Sequence, residues 1–280
     1  MRWTAFLNRL RHGLDLRDTP HDQTLAVRTS YRKGIAVEGF DPFASFGPDV
    51  AERYDEDLRG DEPETVDFLA ALAGDGPVLE FAIGTGRIAL PLAERGLRVD
   101  GIEQSAAMVE RMRAKPGGPD LQVTIGDMST VELPGRYPLV YLVFNTIHNL
   151  LTQDGQVRCF ENAARHLTDD GVFVVETGVP WDGPRKGSYV EVPKVGLDEV
   201  RMSPHRYDAM TQILDINHMR LTINGIQMSP ISLRLVYPSE LDLMARIAGL
   251  QLLHRWGGWR QEPFTIDSRR HVSVYSPHRV

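Results

Sequence analysis

Residues 78–89 read VLEFAIGTGRIA, and this stretch decides the fold because a strand, a glycine turn and the start of a helix follow one another. The apolar residues at its start predict a short buried strand that contains one carboxylate, Glu80. Gly84 and Gly86 allow the backbone to turn sharply and to approach a ligand, because neither carries a Cβ atom. A helix that begins directly after them aims its unpaired N–H groups at that ligand. The stretch therefore predicts a binding site for a nucleoside cofactor.

Acidic residues follow the next two predicted strands. Glu103 comes directly after the strand RVDGI, where a carboxylate can bind the two hydroxyls of a ribose. Asp127 and Met128 follow the strand LQVTI, where the acid can pair with an adenine amino group and the apolar side chain can cover the ring. We expect Glu103→Ala to remove two charge-assisted hydrogen bonds and to lower cofactor affinity at least about tenfold. The melting temperature of the unliganded protein is expected to change little.

The glycine pattern also fits a second class of cofactor. Gly84-x-Gly86-x-x-Ala89 satisfies the loose dinucleotide fingerprint, so a nicotinamide-dependent oxidoreductase is an alternative. Glu80 argues against this class, because a carboxylate just before the glycines repels a pyrophosphate. The same carboxylate suits a cofactor that carries a positive ammonium group.

Strands alternate with helices from residue 63 onward. The predicted strands are 78–82, 98–102, 121–125, 139–144 and 172–176, and this alternation predicts a doubly wound parallel sheet. Ser105 and Ser239 are predicted to cap the helices that follow them. The last two apolar segments, LQLLHRW and HVSVY, are joined without a crossover helix, so they are predicted to pair antiparallel.

Residues 178–237 interrupt this alternation with β-branched runs that are divided by glycine and proline turns. Asn224-Gly225 between two apolar runs is a hairpin signal, so the segment predicts a small antiparallel sheet. The complete prediction is an α/β fold: a doubly wound, mostly parallel seven-stranded sheet with an inserted antiparallel β subdomain and an N-terminal cap of helix and loop. The predicted domains are the cap (1–50), the cofactor-binding core (51–177), the inserted sheet (178–237) and the C-terminal part of the core sheet (238–280).

Taken in order, these motifs resemble those of the class I S-adenosylmethionine-dependent methyltransferases, from about Ala51 to the C-terminus. YLVFNTIHNLL matches the family's segment after the fourth strand. AERYDEDLRG matches a helix before the core whose aromatic residue, here Tyr54, closes over the methionine end of the cofactor. The resemblance implies an enzyme with S-adenosyl-L-methionine as its cofactor. The cofactor-binding residues that it implies are Tyr54, Glu80, Ala82, Gly84, Thr85, Gly86, Arg87, Glu103, Gln104, Met108, Asp127, Met128, Phe144 and Asn145.

The resemblance also implies methyl transfer to a small molecule of specialised metabolism, and oxygen is favoured over nitrogen as the acceptor atom. His148, on the loop after the fourth strand, is the predicted general base, because a hydroxyl or ammonium acceptor has to lose a proton. Tyr31 in the cap and Tyr207 and His218 in the inserted sheet are the predicted acceptor-binding residues. In similar methyltransferases an insertion at this point covers the substrate cleft, and an oligomer contact is the alternative.

Two further points concern catalysis and metal. Some proteins of this fold bind the cofactor without transferring a methyl group, so a non-catalytic binding protein is an alternative. A divalent cation would need several oxygen ligands at the edge of the cleft. Glu176 at the end of the fifth strand and Asp182 after it are suitably placed. No paired-acid motif accompanies them, so no metal is expected.

Composition limits the partners. A net charge of −7 and an isoelectric point near 5.7 argue against nucleic acid as the main partner. The single cysteine, Cys159, permits no internal disulfide, which suits a reducing cytoplasm. The sequence contains neither a transmembrane stretch nor a secretion signal, so a cytoplasmic location is predicted. An amphipathic helix is predicted within residues 1–20, and it leaves a homodimer open as an assembly.

Overall fold

The structure is a computed structural model that describes residues 45–56, 59–180 and 187–278. The predicted cap lies outside the described residues up to residue 44, and Tyr31 lies outside with it. Asp182 also falls outside them. The predicted domain boundaries stay predictions.

The central sheet positions the candidate site. Seven strands pair in the order β10-β11-β5-β4-β1-β2-β3. The five strands from β1 to β5 run parallel, whereas β11 is antiparallel to both β5 and β10. This arrangement confirms the predicted doubly wound sheet with a directly joined antiparallel pair at its end. The strands are β1 (Val78–Phe81), β2 (Val99–Glu103), β3 (Gln122–Ile125), β4 (Tyr137–Leu142), β5 (Leu167–Gly178), β10 (Leu250–Trp256) and β11 (Arg270–Pro277).

Helices cover both faces of this sheet. They are α1 (Pro48–Arg53), α2 (Glu62–Ala73), α3 (Ala89–Glu94), α4 (Ala106–Arg113), α5 (Gln153–His166) and α6 (Pro238–Ile247). Apolar side chains of α2, α3 and α4 pack on one face, and those of α5 and α6 pack on the other. Burial on both faces explains why the strands read as continuous apolar runs. No helix of the described residues has the length and apolar character needed to cross a membrane.

Several element ends differ from the sequence prediction. Strand β4 ends at Leu142 instead of 144, because Phe144 and Asn145 both have positive φ angles and cannot continue a strand. The cap by Ser105 is confirmed, since its hydroxyl accepts a hydrogen bond from the Met108 N–H at 3.2 Å. The cap by Ser239 is wrong: the helix already begins at Pro238, whose missing N–H suits a first helical position.

The inserted segment forms a second sheet of four antiparallel strands in the order β6-β7-β8-β9. These strands are β6 (Gly187–Val195), β7 (Glu199–Asp208), β8 (Ile213–Thr222) and β9 (Gly225–Arg234). The hairpin predicted at Asn224-Gly225 is confirmed, with Thr222 opposite Gly225 at its end. Arg234 anchors this sheet to the core, since its buried guanidinium donates to Gln156, to Gln212 and to Glu240.

Candidate cofactor and acceptor site

The carboxyl ends of β1 and β4 form the point at which the order of the parallel strands reverses, because β2 lies on one side of β1 and β4 on the other. Ligands of open α/β sheets bind in the crevice at such a point. The backbone here is strained: φ is 55° at Ala82, 63° at Phe144 and 61° at Asn145. Left-handed angles at residues other than glycine cost energy and concentrate at functional sites. This edge of the sheet is therefore the candidate site.

The two glycines of the turn are required by its geometry. Gly84 and Gly86 have φ angles of 57° and 75°, which side chains rarely tolerate. A Cβ atom on Gly86 would lie 2.8 Å from Cγ of Met112. The turn is also tied to neighbouring segments: the Thr85 hydroxyl donates to Asp55 at 2.7 Å, and the Lys115 ammonium donates to the Thr85 carbonyl oxygen at 2.7 Å.

An open cleft runs from the glycine turn to the start of α5, and the space between its walls and in the solvent at its mouth is about 1130 Å³. The predicted cofactor residues that line it are Tyr54, Ala82, Gly84, Glu103, Gln104, Met108, Asp127 and Met128. The lining residues that sequence reasoning missed are Phe46, Ile102, Gly126, Ser129, Thr146, Asn149, Leu150, Leu151, Thr152, Gly155 and Arg158. Most of these residues lie in loops that follow strands. The sequence pattern indicates where a strand ends, but it does not indicate which residues of the following loop line a cleft.

Glu103 ends β2 in the wall of this cleft and is only 7% exposed. One carboxylate oxygen accepts the Gly84 N–H at 2.8 Å, and the other accepts the Ser105 N–H at 2.8 Å. Burial raises the pKa of Glu103, and these hydrogen bonds oppose the rise. A carboxylate can accept about four hydrogen bonds, so the backbone N–H groups of Gly84, Ser105 and Gln104 leave Glu103 able to accept from a ribose as well. Glu103 thus holds the turn in place and also fits a ribose diol.

Asp127 and Met128 form the next part of the wall. The Asp127 carboxylate accepts the Ser129 N–H at 2.7 Å, which fixes its direction. The Met128 side chain is buried, and its carbonyl oxygen accepts a hydrogen bond from the amide of Asn162 at 2.8 Å. An acid and an apolar side chain are therefore held next to each other, as an adenine site requires.

Glu80 does not line the cleft but is buried beneath the glycine turn. Its carboxylate accepts the Tyr141 hydroxyl at 2.9 Å and the backbone N–H of Ala89. Burial raises its pKa well above the ordinary value, and the nearby negative charge of Glu103 adds to the rise. Burial beneath the turn therefore favours the neutral form of this carboxyl group in the unliganded protein.

We expect Glu80→Gln to make the free energy of unfolding of the unliganded protein less dependent on pH. A carboxyl group with a raised folded pKa favours folding at low pH and loses that contribution as pH rises from about 4.5 through the raised value. The glutamine carries no charge to bury, so the variant avoids this loss. Urea unfolding between pH 5 and 9 should show the shallower slope, and equal slopes in the two proteins would contradict the prediction.

A second group of predicted residues lies at the ends of β4 and β5 and does not line the cleft. The Phe144 N–H donates to the Glu176 carboxylate at 2.7 Å, and the same carboxylate accepts two hydrogen bonds from Arg59, at 2.8 and 3.1 Å. The Arg59 guanidinium also lies 4.5 Å from the centre of the Phe144 ring. Sequence reasoning missed Arg59, although it lies within the quoted segment AERYDEDLRG.

Arg87 connects this group to Tyr54. Its guanidinium lies 4.8 Å from the centre of the Tyr54 ring and 5.1 Å from that of Phe144. It also donates to the Tyr54 carbonyl oxygen at 3.0 Å. Burial raises the pKa of the Tyr54 hydroxyl, which stays protonated at neutral pH. Arg87 thus holds Tyr54 at the border of the cleft.

His148 is buried in the turn after β4 and does not line the cleft. Its Nε2 lies 3.1 Å from Oγ1 of Thr177, whose hydroxyl in turn donates to Asn145 at 3.2 Å. Burial lowers the pKa of His148 to about 4, and the positive charge of Arg234 adds to the effect. The imidazole is therefore neutral at pH 7. Its role as general base stays a prediction.

A second cavity lies between α1 and the inserted sheet. It is lined by Val50, Arg53, Tyr54, Glu56, Pro193, Arg201, Ser203, His218, Met219, Arg220, Gln227 and Ser229. Tyr54 lines both this cavity and the cofactor cleft. Of the predicted acceptor-binding residues, His218 lines the second cavity, whereas Tyr207 packs against a small apolar cluster that includes Leu214. Among the described residues, no three or more of His, Cys, Asp and Glu are grouped as metal ligands.

Comparison with known proteins extends these observations. The family described as "Methyltransferase domain" matches residues 78–171. The solved structure of the CcbJ methyltransferase from Streptomyces caelestis is similar to this chain, with a TM-score of 0.81 and 35% sequence identity. The match covers 86% of this chain and 100% of the CcbJ chain.

Curated proteins that are similar in sequence include two from Streptomyces. The cypemycin N-terminal methyltransferase of a Streptomyces species is 25% identical over 199 residues, which cover 70% of this chain and 81% of that protein. The dTDP-3-amino-3,6-dideoxy-alpha-D-glucopyranose N,N-dimethyltransferase of Streptomyces fradiae is 32% identical over 148 residues, or 50% of this chain and 56% of that protein.

Proposed function

Because the chain belongs to the class I S-adenosylmethionine-dependent methyltransferases of the small-molecule type, we propose that it methylates an amine nitrogen of a natural product. The family assignment decides against the nicotinamide-dependent oxidoreductase that the glycine pattern left open. The choice of nitrogen departs from the oxygen that was favoured from the sequence. The Streptomyces fradiae relative supports it, because it is named as an N,N-dimethyltransferase, and the cypemycin relative is named for the N-terminus, where a peptide carries an amino group.

The chemistry around His148 supports the same choice. A hydroxyl oxygen is a weak nucleophile unless a base removes its proton as the new bond forms, whereas a neutral amine nitrogen is nucleophilic enough to attack before it loses a proton. His148 is a weak base with a pKa of about 4, and its Nε2 lies 3.1 Å from the Thr177 hydroxyl. The observation that carries the proposal is that His148 is buried beside Thr177 and does not line the cleft, so the described site suits a neutral amine, which can attack before a base removes its proton.

The residues of the cleft act by alignment. S-adenosylmethionine supplies a methyl group on a positively charged sulfur atom. Glu103 and Asp127 would hold the ribose and the adenine, and the bare backbone at Gly84 allows close approach. Tyr54 borders both cavities and would keep the amine in line with the methyl group. Fixing two reactants in line lowers the barrier by restricting their motion before the reaction.

The test uses S-adenosylmethionine with an isotopically labelled methyl group. We expect the labelled methyl group to be transferred to an amino sugar, but not to the sugar that carries a hydroxyl group in place of the amine. The rate at low acceptor concentration should rise with pH and level off near the pKa of the acceptor amine, because only the neutral amine reacts. Mass spectrometry of the product measures the transfer, and protein without labelled cofactor is the control. Equal labelling of the hydroxyl compound would contradict transfer to nitrogen.

A further inference from the structure

The second cavity carries an excess of positive charge. Among the described residues that line it, three carry guanidinium groups, Arg53, Arg201 and Arg220, and one carries a carboxylate, Glu56. The whole chain has a net charge of −7, so this cavity differs in sign from the protein around it. Positive charge that lines a concave surface attracts anions more strongly than the same charge on a flat surface.

The neighbouring carboxylate does not cancel this charge. Glu199 accepts hydrogen bonds from Arg201 at 2.6 Å and from Arg220 at 2.9 Å, and the ammonium of Lys194 lies 3.2 Å away. The hydrogen bond from Arg201, together with those from Lys194 and Arg220, lowers the pKa of Glu199 to about 2 against the opposing effect of burial, so it is ionised at neutral pH. With Lys194 and Glu199 included, the described groups in and beside the cavity carry four positive charges, on Arg53, Lys194, Arg201 and Arg220, and two negative charges, on Glu56 and Glu199.

Neutral polar groups lie beside the arginines. Ser203 is buried, and its hydroxyl oxygen lies 3.1 Å from Nδ1 of His218. Burial lowers the pKa of His218, so the imidazole is neutral at pH 7. One of the two donors of this hydroxyl and imidazole is used in their mutual hydrogen bond, so the pair can offer the other to an anion without carrying a charge of its own.

We propose that the second cavity binds an oxyanion group of the acceptor, a phosphate or a carboxylate, while the acceptor amine lies past Tyr54 toward the cofactor. The inference rests on the proposed function, because it assigns the two ends of one acceptor to the two cavities that Tyr54 separates. Guanidinium groups match both oxyanions, since each presents paired N–H donors to two oxygen atoms.

Direct binding tests the cavity without any methyl transfer. With S-adenosylhomocysteine saturating the cofactor cleft, calorimetry should show that inorganic diphosphate or acetate binds the wild-type protein. The double variant Arg201→Gln/Arg220→Gln should bind at least about tenfold more weakly, because charge-assisted hydrogen bonds are lost. Arg246→Gln is the matched control, since Arg246 is exposed on α6 and lines neither cavity. Tighter binding of diphosphate would indicate a phosphate group on the acceptor, and tighter binding of acetate would indicate a carboxylate.

Acceptor kinetics test the link to catalysis. For a phosphorylated amino sugar, or an amino acid, the double variant should raise KM at least about tenfold with kcat unchanged. For the unphosphorylated sugar, or for the amino acid amide, the double variant should change neither KM nor kcat. Arg53→Gln is a second variant from another element, in case the double variant does not fold. Equal binding of both anions to wild type and variants would overturn the proposal. Anion binding without transfer to any amine would overturn the proposed function and leave the anion site standing.

Discussion

Arg59→Ala is expected to lower the free energy of unfolding by about 3 kcal/mol, because it leaves the carboxylate of Glu176 buried without its partner. Glu176 is 1% exposed and accepts both Arg59 hydrogen bonds, at 2.8 and 3.1 Å. The variant also loses the guanidinium that lies against the Phe144 ring at the end of β4. Urea unfolding monitored by circular dichroism measures the change.

Two comparisons separate the buried charge from other effects. Adding Glu176→Gln to Arg59→Ala should restore part of the lost stability, because the unpaired charge is removed. Arg95→Ala is the matched control: Arg95 pairs with Asp67 at 2.5 Å, but both side chains are more than 40% exposed, so its loss should cost less than about 1 kcal/mol. Equal losses from Arg59→Ala and Arg95→Ala would show that the Glu176 pair contributes no more than a surface pair.

Glu103→Ala is expected to weaken the binding of S-adenosylhomocysteine by roughly 30-fold to 1,000-fold, which corresponds to about 2–4 kcal/mol for two charge-assisted hydrogen bonds to the ribose. The structure adds a second effect. The Gly84 and Ser105 N–H groups lose their acceptor, and an unsatisfied buried donor costs about 1–3 kcal/mol. The unliganded protein should therefore also melt at a lower temperature, contrary to the expectation from the sequence.

Calorimetry measures the affinity, and differential scanning calorimetry without ligand measures the stability. Glu110→Ala on the exposed side of α4 is the matched control and should change neither value. Unchanged affinity in Glu103→Ala would place the ribose elsewhere. An unchanged melting temperature would show that the two N–H groups find other acceptors.

The sequence by itself determined the parts of the protein that depend on local chemistry. Periodic apolar runs predicted the strands and helices of the core, because the formation of either element depends on residues that are close in the chain. The glycine turn was predicted because only glycine adopts its positive φ angles easily and without clash at Gly86. The carboxylates Glu103 and Asp127 were predicted because the carboxyl ends of parallel strands meet at one edge of the sheet.

The tertiary structure alone decided which distant groups meet. Arg59 and Glu176 are 117 residues apart, and nothing in the sequence around either one indicates the other. Tyr54 and His218 line one cavity only because the inserted sheet lies against α1. Glu80 came from the strand pattern, but its place beneath the turn depends on the Tyr141 hydroxyl of a neighbouring strand. Such contacts follow from how packed elements are arranged, and local patterns carry no information on that arrangement.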